Sequence, residues 1–450
     1  MIERDTLIRS LVPRDETGFQ FVCYADACSG VPGGPHELTF EAVNAVVARL
    51  RPAPEFVCFP GDEIRGLTTN ADALRRQWNY WFSREMAWLD RDVIPLYHTT
   101  ANHTTYDSAS EAIFREVLSH LPQNGPPGQE GLSYFVRRQH LLMVFVNTMF
   151  SGLGGEGRVE TEWLSQTLAE HSDAKYKIVF GHHPVHSVNG FSGPYQREIA
   201  PECGRLFWQC LVEHRVLAYF CSHILAFDVQ VHEGVLQILT AGAGTAHRMP
   251  EGVEYLHCVQ AAVDAGGLRY QVLDTEGRVR ERLSWPLSLP PSSSWSLFPS
   301  ADVAPQGADD DLSPRSAGYL AAWNVSGRTA LVGGAPQTLL CGWRQQEEHA
   351  LPPLWIGLQG EEQRLCVLLS QAPERSPHLW LGPELERDAE FDFQIALHTE
   401  MGPGGVLWRR NDESPWSSLK AASPWGPERL PWPTTWHVGR ARRGSDDQPF

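Results

Sequence analysis

Short apolar runs alternate with amphipathic stretches along the first 285 residues of the chain. The runs are rich in β-branched and aromatic residues and predict seven β-strands. The stretches between them carry apolar residues at helical spacing and predict α-helices. Strands and helices that alternate in this way indicate an α/β architecture. The predicted strands are Phe19–Tyr24, Glu55–Phe59, Val93–His98, Leu141–Asn147, Lys177–Phe180, Val216–Phe220 and Val235–Thr240, and the predicted helices are Leu38–Leu50, Ala71–Leu89 and Val159–Glu170.

The pattern changes near residue 285. Residues 286–318 are rich in proline, serine and aspartate without periodicity, which predicts a linker. From residue 319 onward, short strand-like runs are separated by glycine, proline and asparagine turns, which is typical of an all-β sandwich. The sequence therefore predicts an α/β domain at 1–285, a linker at 286–318 and a β-sandwich at 319–450. The sandwich strands are predicted at Thr329–Val332, Leu354–Leu358, Arg364–Leu369, Phe391–Leu397 and Val406–Arg409.

The charge balance limits the classes of partner. The 450 residues include 37 Lys and Arg against 54 Asp and Glu, a formal net charge of −17. We expect no nucleic-acid partner, because binding to nucleic acid requires a basic face that neutralises phosphates. A small anionic substrate is still compatible with this charge, since a bound metal ion supplies positive charge locally.

The sequence shows neither a membrane segment nor a disulfide framework. No stretch approaches the roughly 20 apolar residues needed to cross a bilayer, and the first 20 residues lack the apolar core of a signal peptide. The nine cysteines are scattered, and no pair of Cys-x-x-Cys motifs indicates a zinc ribbon. We therefore expect a cytoplasmic protein without a membrane partner.

Five predicted strands lead directly into polar residues that bind metal ions in other proteins. Ligand sites in α/β sheets form outside the carboxyl ends of the strands, where loops from separate strands converge. One histidine after a strand is usually structural, but five such strand ends in order indicate a site. These residues are Asp26 and Cys28 after the first strand, Asp62 after the second, Asn102 and His103 after the third, His182 and His183 after Lys177–Phe180, and His223 after Val216–Phe220.

The residue types in this set favour a particular chemistry. Carboxylate, amide oxygen and imidazole ligands together suit Fe, Mn or Zn. An ion of this kind polarises a phosphoryl oxygen and lowers the pKa of a bound water toward neutrality.

The motifs and their order resemble the calcineurin-like metallophosphoesterases, and within them the small purple acid phosphatase type. The resemblance covers about residues 18–285 and implies two metal ions in a four-layer αββα sandwich. It also implies hydrolysis of a small phosphomonoester or phosphodiester by a metal-activated water. The motifs that carry it are Tyr24-Ala-Asp26-Ala-Cys28, Phe59-Pro-Gly-Asp62-Glu63, Thr100-Ala-Asn102-His103-Thr104, Phe180-Gly-His182-His183-Pro184 and Phe220-Cys-Ser-His223-Ile-Leu225.

The resemblance also implies roles for individual residues. Asp26 belongs to the first metal site, and Asp62 bridges both ions. His103 contacts the substrate phosphate or protonates the leaving group. His183 either binds substrate or packs its loop, and Glu63 is either a residue that orients a ligand or an exposed loop acid. The second metal site is completed by Asn102, His182 and His223.

This chain departs from the family pattern at the first metal site. Cys28 stands where the family has histidine, and Leu225 offers no ligand atom where the last motif normally has one. The acid that normally follows the Asn-His pair is replaced by Thr104, and Asp107 is close enough in sequence to substitute for it in orienting His103.

Three interpretations of these departures stay open. The protein binds one metal firmly in the second site, or it rebuilds the first site with the Cys28 thiolate and a distant residue such as Asp228 or His232, or it binds without turnover as a degenerate enzyme. Retention of the whole second-site set favours the first. We thus expect one or two divalent or trivalent ions. Two further alternatives are that Cys28 is simply a small buried apolar residue and that the scaffold carries out a different metal-assisted reaction.

The C-terminal region resembles laminin-G or concanavalin A-like sandwiches at Trp323–Arg328 and Trp436–Arg440. The expected fold is thus an αββα metallophosphoesterase sandwich followed by an all-β, jelly-roll-like sandwich. Such domains commonly bind glycans or proteins. Aromatic turns either stack on sugar rings or fill the sandwich core and rim, and the second interpretation is favoured because large aromatic residues are usually buried. The tryptophans concerned are Trp408, Trp416, Trp425, Trp432 and Trp436.

Overall fold

The chain divides into two compact units. Unit 1 comprises residues 1–188, 192–228 and 235–287, and unit 2 comprises 189–191, 229–234 and 288–450. The computed structural model describes residues 6–149, 158–191, 198–244, 254–289, 291–295, 320–330, 334, 336–343, 353–370, 377–426, 435–438, 441–443 and 446–448. Most of the predicted linker, 286–318, lies outside these described residues.

The described residues of unit 1 form five α-helices and fourteen strands, and the tenth strand continues into residues assigned to unit 2. The helices are α1 (Glu37–Ala48), α2 (Ala71–Tyr80), α3 (Ser108–Val117), α4 (Thr161–Glu170) and α5 (Pro201–Glu213). The strands are β1 (Ile8–Arg9), β2 (Phe19–Cys23), β3 (Leu50–Arg51), β4 (Phe56–Phe59), β5 (Leu96–His98), β6 (Tyr134–Arg138), β7 (Leu141–Phe145), β8 (Tyr176–Phe180), β9 (Ala218–Cys221), β10 (Phe227–His232), β11 (Val235–Thr240), β12 (His257–Asp264), β13 (Gly267–Asp274) and β14 (Val279–Trp285).

Two six-stranded mixed sheets form the centre of unit 1. One has the order β10-β11-β9-β8-β7-β6 and the other β14-β13-β12-β2-β4-β5. Strands β7, β8, β9 and β11 run parallel in the first sheet, and β2, β4 and β5 run parallel in the second. The carboxyl ends of parallel strands lie at the same edge of a sheet. The predicted ligands come directly after these ends in the sequence.

The two sheets pack against each other through aromatic side chains. The ring of Phe21 on β2 lies 6.3 Å from that of Phe180 on β8 and 5.6 Å from that of Phe220 on β9. All three residues are fully buried. A strand that is covered on both faces needs a continuous apolar run, whereas a half-exposed strand alternates apolar and polar residues. The continuous runs explain why these strands were easy to predict from the sequence.

The predicted helix Ala71–Leu89 is shorter in the structure. Its regular part, α2, ends at Tyr80, and a π-helical turn follows at Trp81–Glu85. The amide of Met86 donates to the carbonyl of Trp81 at 2.8 Å and closes this turn. The turn places the Trp81 ring between Phe40 and Phe59, at 6.0 and 5.5 Å. Aromatic packing against the sheet therefore changes the helical repeat.

In the part of unit 2 that the structure describes, the strands form two antiparallel sheets, with orders β15-β20-β21-β22 and β23-β19-β18-β17-β16-β24, and one ribbon, β25-β26. A single apolar cluster includes residues from both sheets, such as Trp323, Ile356 and Ile395. The strands are β15 (Leu320–Arg328), β16 (Gln337–Trp343), β17 (Leu354–Gln359), β18 (Arg364–Leu369), β19 (His378–Leu381), β20 (Glu390–His398), β21 (Val406–Arg409), β22 (Ser417–Ser418), β23 (Lys420–Ala421), β24 (Thr435–Val438), β25 (Ala441–Arg443) and β26 (Asp446–Gln448).

One strand prediction in unit 2 is wrong. Thr329 and Ala330 follow β15 and are not in a strand, and residues 331–332 lie outside the described part. Thr329 instead donates its hydroxyl to the carbonyl of Glu386. The strand occupies the preceding segment, which includes the Trp323–Arg328 motif.

The tryptophans of unit 2 differ in exposure. Trp408 packs against the apolar cluster, and Trp416 is buried with the Arg409 guanidinium 4.5 Å from its ring. Trp425 is exposed. The side chains of Trp432 and Trp436 lie outside the described part of the chain.

The structure also bears on disulfide bonds and on membrane-spanning helices. None of the nine cysteines, all of which lie among the described residues, forms a disulfide. None of the helices among the described residues is long and apolar enough to span a membrane.

Candidate metal centre

The predicted ligands lie just beyond the carboxyl ends of five parallel strands. Asp26 and Cys28 follow β2, Asp62 follows β4, and Asn102 and His103 follow β5. In the other sheet, His182 and His183 follow β8, and His223 follows β9. The structure brings these side chains together in unit 1, although the first and last are separated by about 200 positions in the sequence.

The backbone at these strand ends is bent into an uncommon conformation. Asp26, Cys28, Asp62 and His223 have positive φ angles of 64°, 45°, 58° and 70°. A side chain in this left-handed region costs about 1–2 kcal/mol. Strain of this kind concentrates at functional sites, where the surrounding structure holds it in place.

Gly61 is required by the packing of the β4 loop. Its φ is +93°, and a Cβ at this position would lie 2.4 Å from the Cβ of Ala101 and 2.8 Å from Nδ1 of His182. Only glycine therefore lets the loop bearing Asp62 approach both the β5 loop and the His182 ring.

Three ligand atoms meet in a group that we call the imidazole cluster: Asn102, His182 and His223. The Nε2 atom of His182 lies 2.9 Å from Oδ1 of Asn102 and 3.1 Å from Nδ1 of His223. Nδ1 of His223 in turn lies 2.9 Å from Oδ1 of Asn102. His182 is fully buried, whereas the other two side chains are half-buried.

The orientation of the His182 ring is fixed from behind. Its Nδ1 lies 2.8 Å from the carbonyl oxygen of Pro60, which accepts, and 2.9 Å from the hydroxyl of Ser222. The Ser222 hydroxyl donates to the same carbonyl at 2.7 Å. Because Nδ1–H donates to this oxygen, Nε2 is the ring nitrogen of His182 that faces the other two ligand atoms, and it presents a lone pair to them once it has lost its proton. A cation fits a place where three such electron-pair atoms meet.

Electrostatics also favours positive charge at this place. Burial opposes protonation of His182, but the carboxylate of Asp62 outweighs it and raises the pKa of His182 to about 9. Burial raises the pKa of Asp62 as well, yet the charges of His103 and His182 outweigh that effect and hold it below its ordinary value. Burial and the charge of Asp62 raise the pKa of Asp26 to about 7.

A second group, the thiol cluster, contains Cys28, Asp62 and His103. The Cys28 sulfur lies 4.0 Å from Oδ2 of Asp62, and Nε2 of His103 lies 3.9 Å from the same oxygen. One ligand atom from each of the three residues lies within 4.8 Å of the others. Asp62 also lies 3.5 Å from Nε2 of His182, so its carboxylate faces both clusters.

The His103 ring is oriented by a main-chain group. Its Nδ1 lies 2.6 Å from the carbonyl oxygen of Arg65, and its amide donates to Oδ1 of Asp62 at 2.9 Å. The suggestion that Asp107 orients His103 is wrong. Asp107 instead caps the N-terminus of α3 and accepts from the amide of Ser110 at 2.8 Å.

His183 lies beside the imidazole cluster. Its Nδ1 is 2.8 Å from the hydroxyl of Thr148, and its ring centroid is 4.3 Å from that of His223. Its ligand atom also lies within 4.8 Å of those of His182 and His223. A third potential ligand group contains Asp26, Asp62 and His182. Neither Asp228 nor His232 belongs to any of the three potential ligand groups found among the described residues.

Glu63 is not an exposed loop acid. It is fully buried, and Oε1 lies 2.7 Å from Nδ1 of His98, which is also fully buried. Burial raises the pKa of Glu63 well above its ordinary value and lowers the pKa of His98 to about 3, so burial disfavours the charged form of both groups. The contact joins the β4 loop that bears Asp62 to the β5 strand that precedes Asn102.

Sequence reasoning missed several residues that shape the site. Ser222, the Pro60 carbonyl and the Arg65 carbonyl orient ligand rings, and Thr148 contacts His183. The adjacency of Ser222 to His223 was the only sequence signal for any of them, because main-chain carbonyls have no residue-type signature.

Comparison with known proteins bears on the same region. Residues 30–227 match the family model for calcineurin-like phosphoesterases. No curated protein matches this chain. The matched segment includes Asp62, Asn102, His103, His182, His183 and His223.

Several solved structures resemble this chain. A purple acid phosphatase from yellow lupin (Lupinus luteus) seeds has a TM-score of 0.44 and 11% identity, over 61% of this chain and 54% of that one. A dimetal phosphatase from Danio rerio has a TM-score of 0.43 and 16% identity, over 59% and 98%. GAP50, the anchor in the inner membrane complex of Plasmodium, has a TM-score of 0.40 and 12% identity, over 60% and 89%. The chain thus aligns with about half the length of the lupin protein.

The match lies within unit 1 for most of its length and contains the whole imidazole cluster. The His and Asp groups of the described structure could bind metal ions, which calcineurin-like phosphoesterases use. Residues 30–227 are therefore similar to a calcineurin-like metallophosphoesterase domain.

Proposed function

We propose that this protein is a metal-dependent hydrolase of small phosphate esters. The observation that supports it best is the meeting of Asn102 Oδ1, His182 Nε2 and His223 Nδ1 within 3.1 Å of one another. Two imidazole nitrogens and an amide oxygen that face one point suit a bound cation, which attracts the electron pairs of all three atoms. The family match over residues 30–227 supports phosphate esters as the substrate class.

The imidazole cluster and the Asp62 carboxylate would hold the ion. Fe, Mn and Zn suit this mixture of imidazole, amide and carboxylate ligands. A bound ion supplies a Lewis acid for the phosphoryl oxygen and a water of lowered pKa as the nucleophile. Asp26 supports the arrangement because its Oδ2 accepts from the amide of His223 at 3.1 Å.

His103 is placed to move a proton. Its Nδ1–H donates to the Arg65 carbonyl, which leaves Nε2 as the atom that takes up or releases a proton. The side chain is 22% exposed, whereas Asp62 beside it is 3% exposed. We propose that Nε2 of His103 contacts the substrate phosphate or protonates the leaving group, and that His183 lines the substrate side of the site.

Further assignments complete this proposal. A four-layer αββα arrangement is the fold expected for unit 1, and a concanavalin A or laminin-G type sandwich that binds a glycan or a protein is expected for unit 2. Nine free thiols are compatible with a reducing, cytoplasmic location. The competing proposal is that the protein binds its ligand without hydrolysing it. The observation behind this alternative is the altered first metal site at Cys28 and Leu225.

Metal analysis and a generic aryl phosphate test the proposal together. We expect at least one tightly bound Fe, Mn or Zn ion per chain and hydrolysis that stops when a chelator removes it. His182→Ala should lower both metal content and rate more than about a hundredfold, since even residues behind a ligand affect binding by tenfold to a hundredfold. His171→Ala, at the half-buried end of α4, is the matched control and should change neither. A metal-free protein without hydrolysis would contradict the proposal.

A further inference from the structure

The thiol cluster lacks the ligand set that the resemblance implies, yet its three side chains are close enough to bind an ion. The family pattern expects histidine where Cys28 stands and a ligand where Leu225 stands. Leu225 has no atom that binds metal. A replacement for the missing ligand must therefore come from a residue that the sequence did not suggest for this role.

The geometry points to His103. We propose that Cys28, Asp62 and His103 form a second metal site that prefers a thiophilic divalent ion such as Zn²⁺, and that its occupation withdraws His103 from proton transfer. Only the effect on His103 rests on the proposed function. The binding of the ion stands or falls separately from hydrolysis.

The distances agree with a tetrahedral ion. Zinc bonds of about 2.3 Å to sulfur and about 2.0–2.2 Å to nitrogen or oxygen place neighbouring ligand atoms about 3.5 Å apart. The Cys28 sulfur and Nε2 of His103 lie 4.0 and 3.9 Å from Oδ2 of Asp62. The sulfur and Nε2 therefore lie about half an ångström farther from Oδ2 than bound ligand atoms would, and all three atoms lie within 4.8 Å of one another.

Backbone hydrogen bonds hold the cluster in this arrangement. The amide of Cys28 donates to the carbonyl of Asp62 at 2.7 Å, and the amide of Ser29 donates to the carbonyl of Glu63 at 3.0 Å. The amide of His103 donates to Oδ1 of Asp62, and Nδ1 of its ring faces the Arg65 carbonyl. With Nδ1 engaged in this way, Nε2 is the ring atom that faces Asp62 and the one available to a metal.

The ligand types determine the preferred ion. A thiolate with imidazole and carboxylate suits Zn²⁺ better than Mn²⁺ or Mg²⁺, which favour oxygen ligands. The Cys28 thiolate and the Asp62 carboxylate together balance the two positive charges of the ion. Binding releases the thiol proton to solvent. The imidazole cluster has no sulfur, so the two sites differ in their spectroscopic signature.

Cobalt substitution measures the thiol cluster without reference to activity. The full chain, kept reduced and freed of metal by a chelator, is titrated with Co²⁺. We expect a near-ultraviolet charge-transfer band that only a sulfur–cobalt bond produces, together with weaker visible bands from both clusters. Zn²⁺ should displace the cobalt and remove the charge-transfer band.

Variants assign the band. Cys28→Ser should abolish it and leave the visible bands of the imidazole cluster. His103→Gln should keep it but weaken Co²⁺ binding at least about tenfold, as the loss of one ligand predicts. Cys203→Ser removes a half-buried cysteine on α5 and is the matched control that should change nothing. Circular dichroism of each variant establishes that it is folded. A wild-type protein without the band, or a band that persists in folded Cys28→Ser, would overturn the proposed site.

The effect on His103 has its own measurement. With Mn²⁺ supplied for hydrolysis, added Zn²⁺ should inhibit the wild-type protein. The Zn²⁺ concentration for half-inhibition should rise at least about tenfold in Cys28→Ser, each protein being compared with its own zinc-free rate. Equal inhibition of both proteins would overturn the link to His103. If hydrolysis is absent altogether, the proposed function fails while the cobalt band still decides whether the site exists.

Discussion

The imidazole and thiol clusters share Asp62 but differ in how tightly their side chains are arranged. In the imidazole cluster, ligand atoms lie 2.9–3.1 Å apart and the buried His182 ring is fixed by Pro60 and Ser222. In the thiol cluster, ligand atoms lie 3.9–4.0 Å from Asp62, and His103 is partly exposed. Ligand atoms that already lie close together around a buried ring need little movement to bind an ion. The contrast therefore favours a resident ion in the imidazole cluster and an exchangeable one in the thiol cluster.

The largest effect should come from adding a methyl group at Gly61. Gly61→Ala places a Cβ 2.4 Å from Ala101 and 2.8 Å from the His182 ring at a φ of +93°. We expect a loss of about 3 kcal/mol in the free energy of unfolding, from strain and overpacking together, and loss of metal from the imidazole cluster. Urea denaturation and metal analysis measure both.

Gly33→Ala is the matched control for that prediction. Gly33 also has a positive φ, +68°, but a Cβ there meets no atom within 4 Å. Gly33→Ala should lower the free energy of unfolding by only about 1 kcal/mol and leave metal content unchanged. Equal metal loss in both variants would show that backbone strain, and not contact with His182, limits the site.

The second prediction separates the two clusters. Ser222→Ala removes the hydroxyl that contacts Nδ1 of His182 and the Pro60 carbonyl. Metal affinity of the imidazole cluster should fall about tenfold to a hundredfold, the usual effect of losing a group behind a ligand. The cobalt–sulfur band of the thiol cluster should stay.

A serine elsewhere provides the control. Ser165 contacts Nε2 of His214 at 2.9 Å, far from the ligands in sequence and outside both clusters. Ser165→Ala should leave metal affinity unchanged. If Ser222→Ala also leaves it unchanged, the rigid support that distinguishes the imidazole cluster has no energetic consequence.

The third prediction concerns histidines outside the clusters, whose pKa values shift in the opposite direction to that of His182. Burial lowers the pKa of His398 to about 4, against about 6.5 in an unfolded chain. Between these values the unfolded chain holds a proton that the folded chain does not. Stability should therefore fall as pH falls, by about 1.4 kcal/mol per pH unit for each such histidine.

Urea midpoints followed across this pH range measure the effect. His398→Gln removes one titrating group and should make the pH dependence shallower. An unchanged dependence would show that His398 is not neutral in the folded protein, and would remove the contrast with the raised pKa of His182.

The smallest effect should come from Asp107. Asp107→Ala removes the cap of α3 and should cost about 1 kcal/mol, as should Asn70→Ala at the start of α2. Neither should alter Co²⁺ affinity of the thiol cluster, because the Arg65 carbonyl orients His103. Weaker Co²⁺ binding in Asp107→Ala alone would restore Asp107 as a residue that supports His103.

Much of the fold was predictable where apolar runs are continuous. Strands β8 and β11 occur within one residue of their predicted bounds, because buried parallel strands have a strong local pattern. Strand β12 was not predicted, although all eight of its residues are buried. It carries Gln260 and Asp264, which bond the main chain at Leu11 and Arg14. Buried polar residues with distant partners interrupt the pattern on which sequence reasoning depends.

The division of the chain into two units was also only partly predictable from the sequence. Composition places a change near residue 285, and unit 1 extends to residue 287. Segments 189–191 and 229–234, however, are part of unit 2. Within that unit, Asn189 donates to the carbonyls of Pro403 and Leu419 at 3.1 and 3.0 Å. These bonds join residues more than 200 positions apart, and no local composition signals them.

The sequence by itself determined which residues are available as ligands and the order in which the strands deliver them, because residue type and apolar runs are local properties. Only the tertiary structure decided how they pair. It placed Pro60, 122 positions from His182, behind that ring, and it placed His103 beside Asp62 and Cys28. Bond lengths and ring orientations arise where separate loops meet, so they depend on the packing of both sheets and not on any one motif.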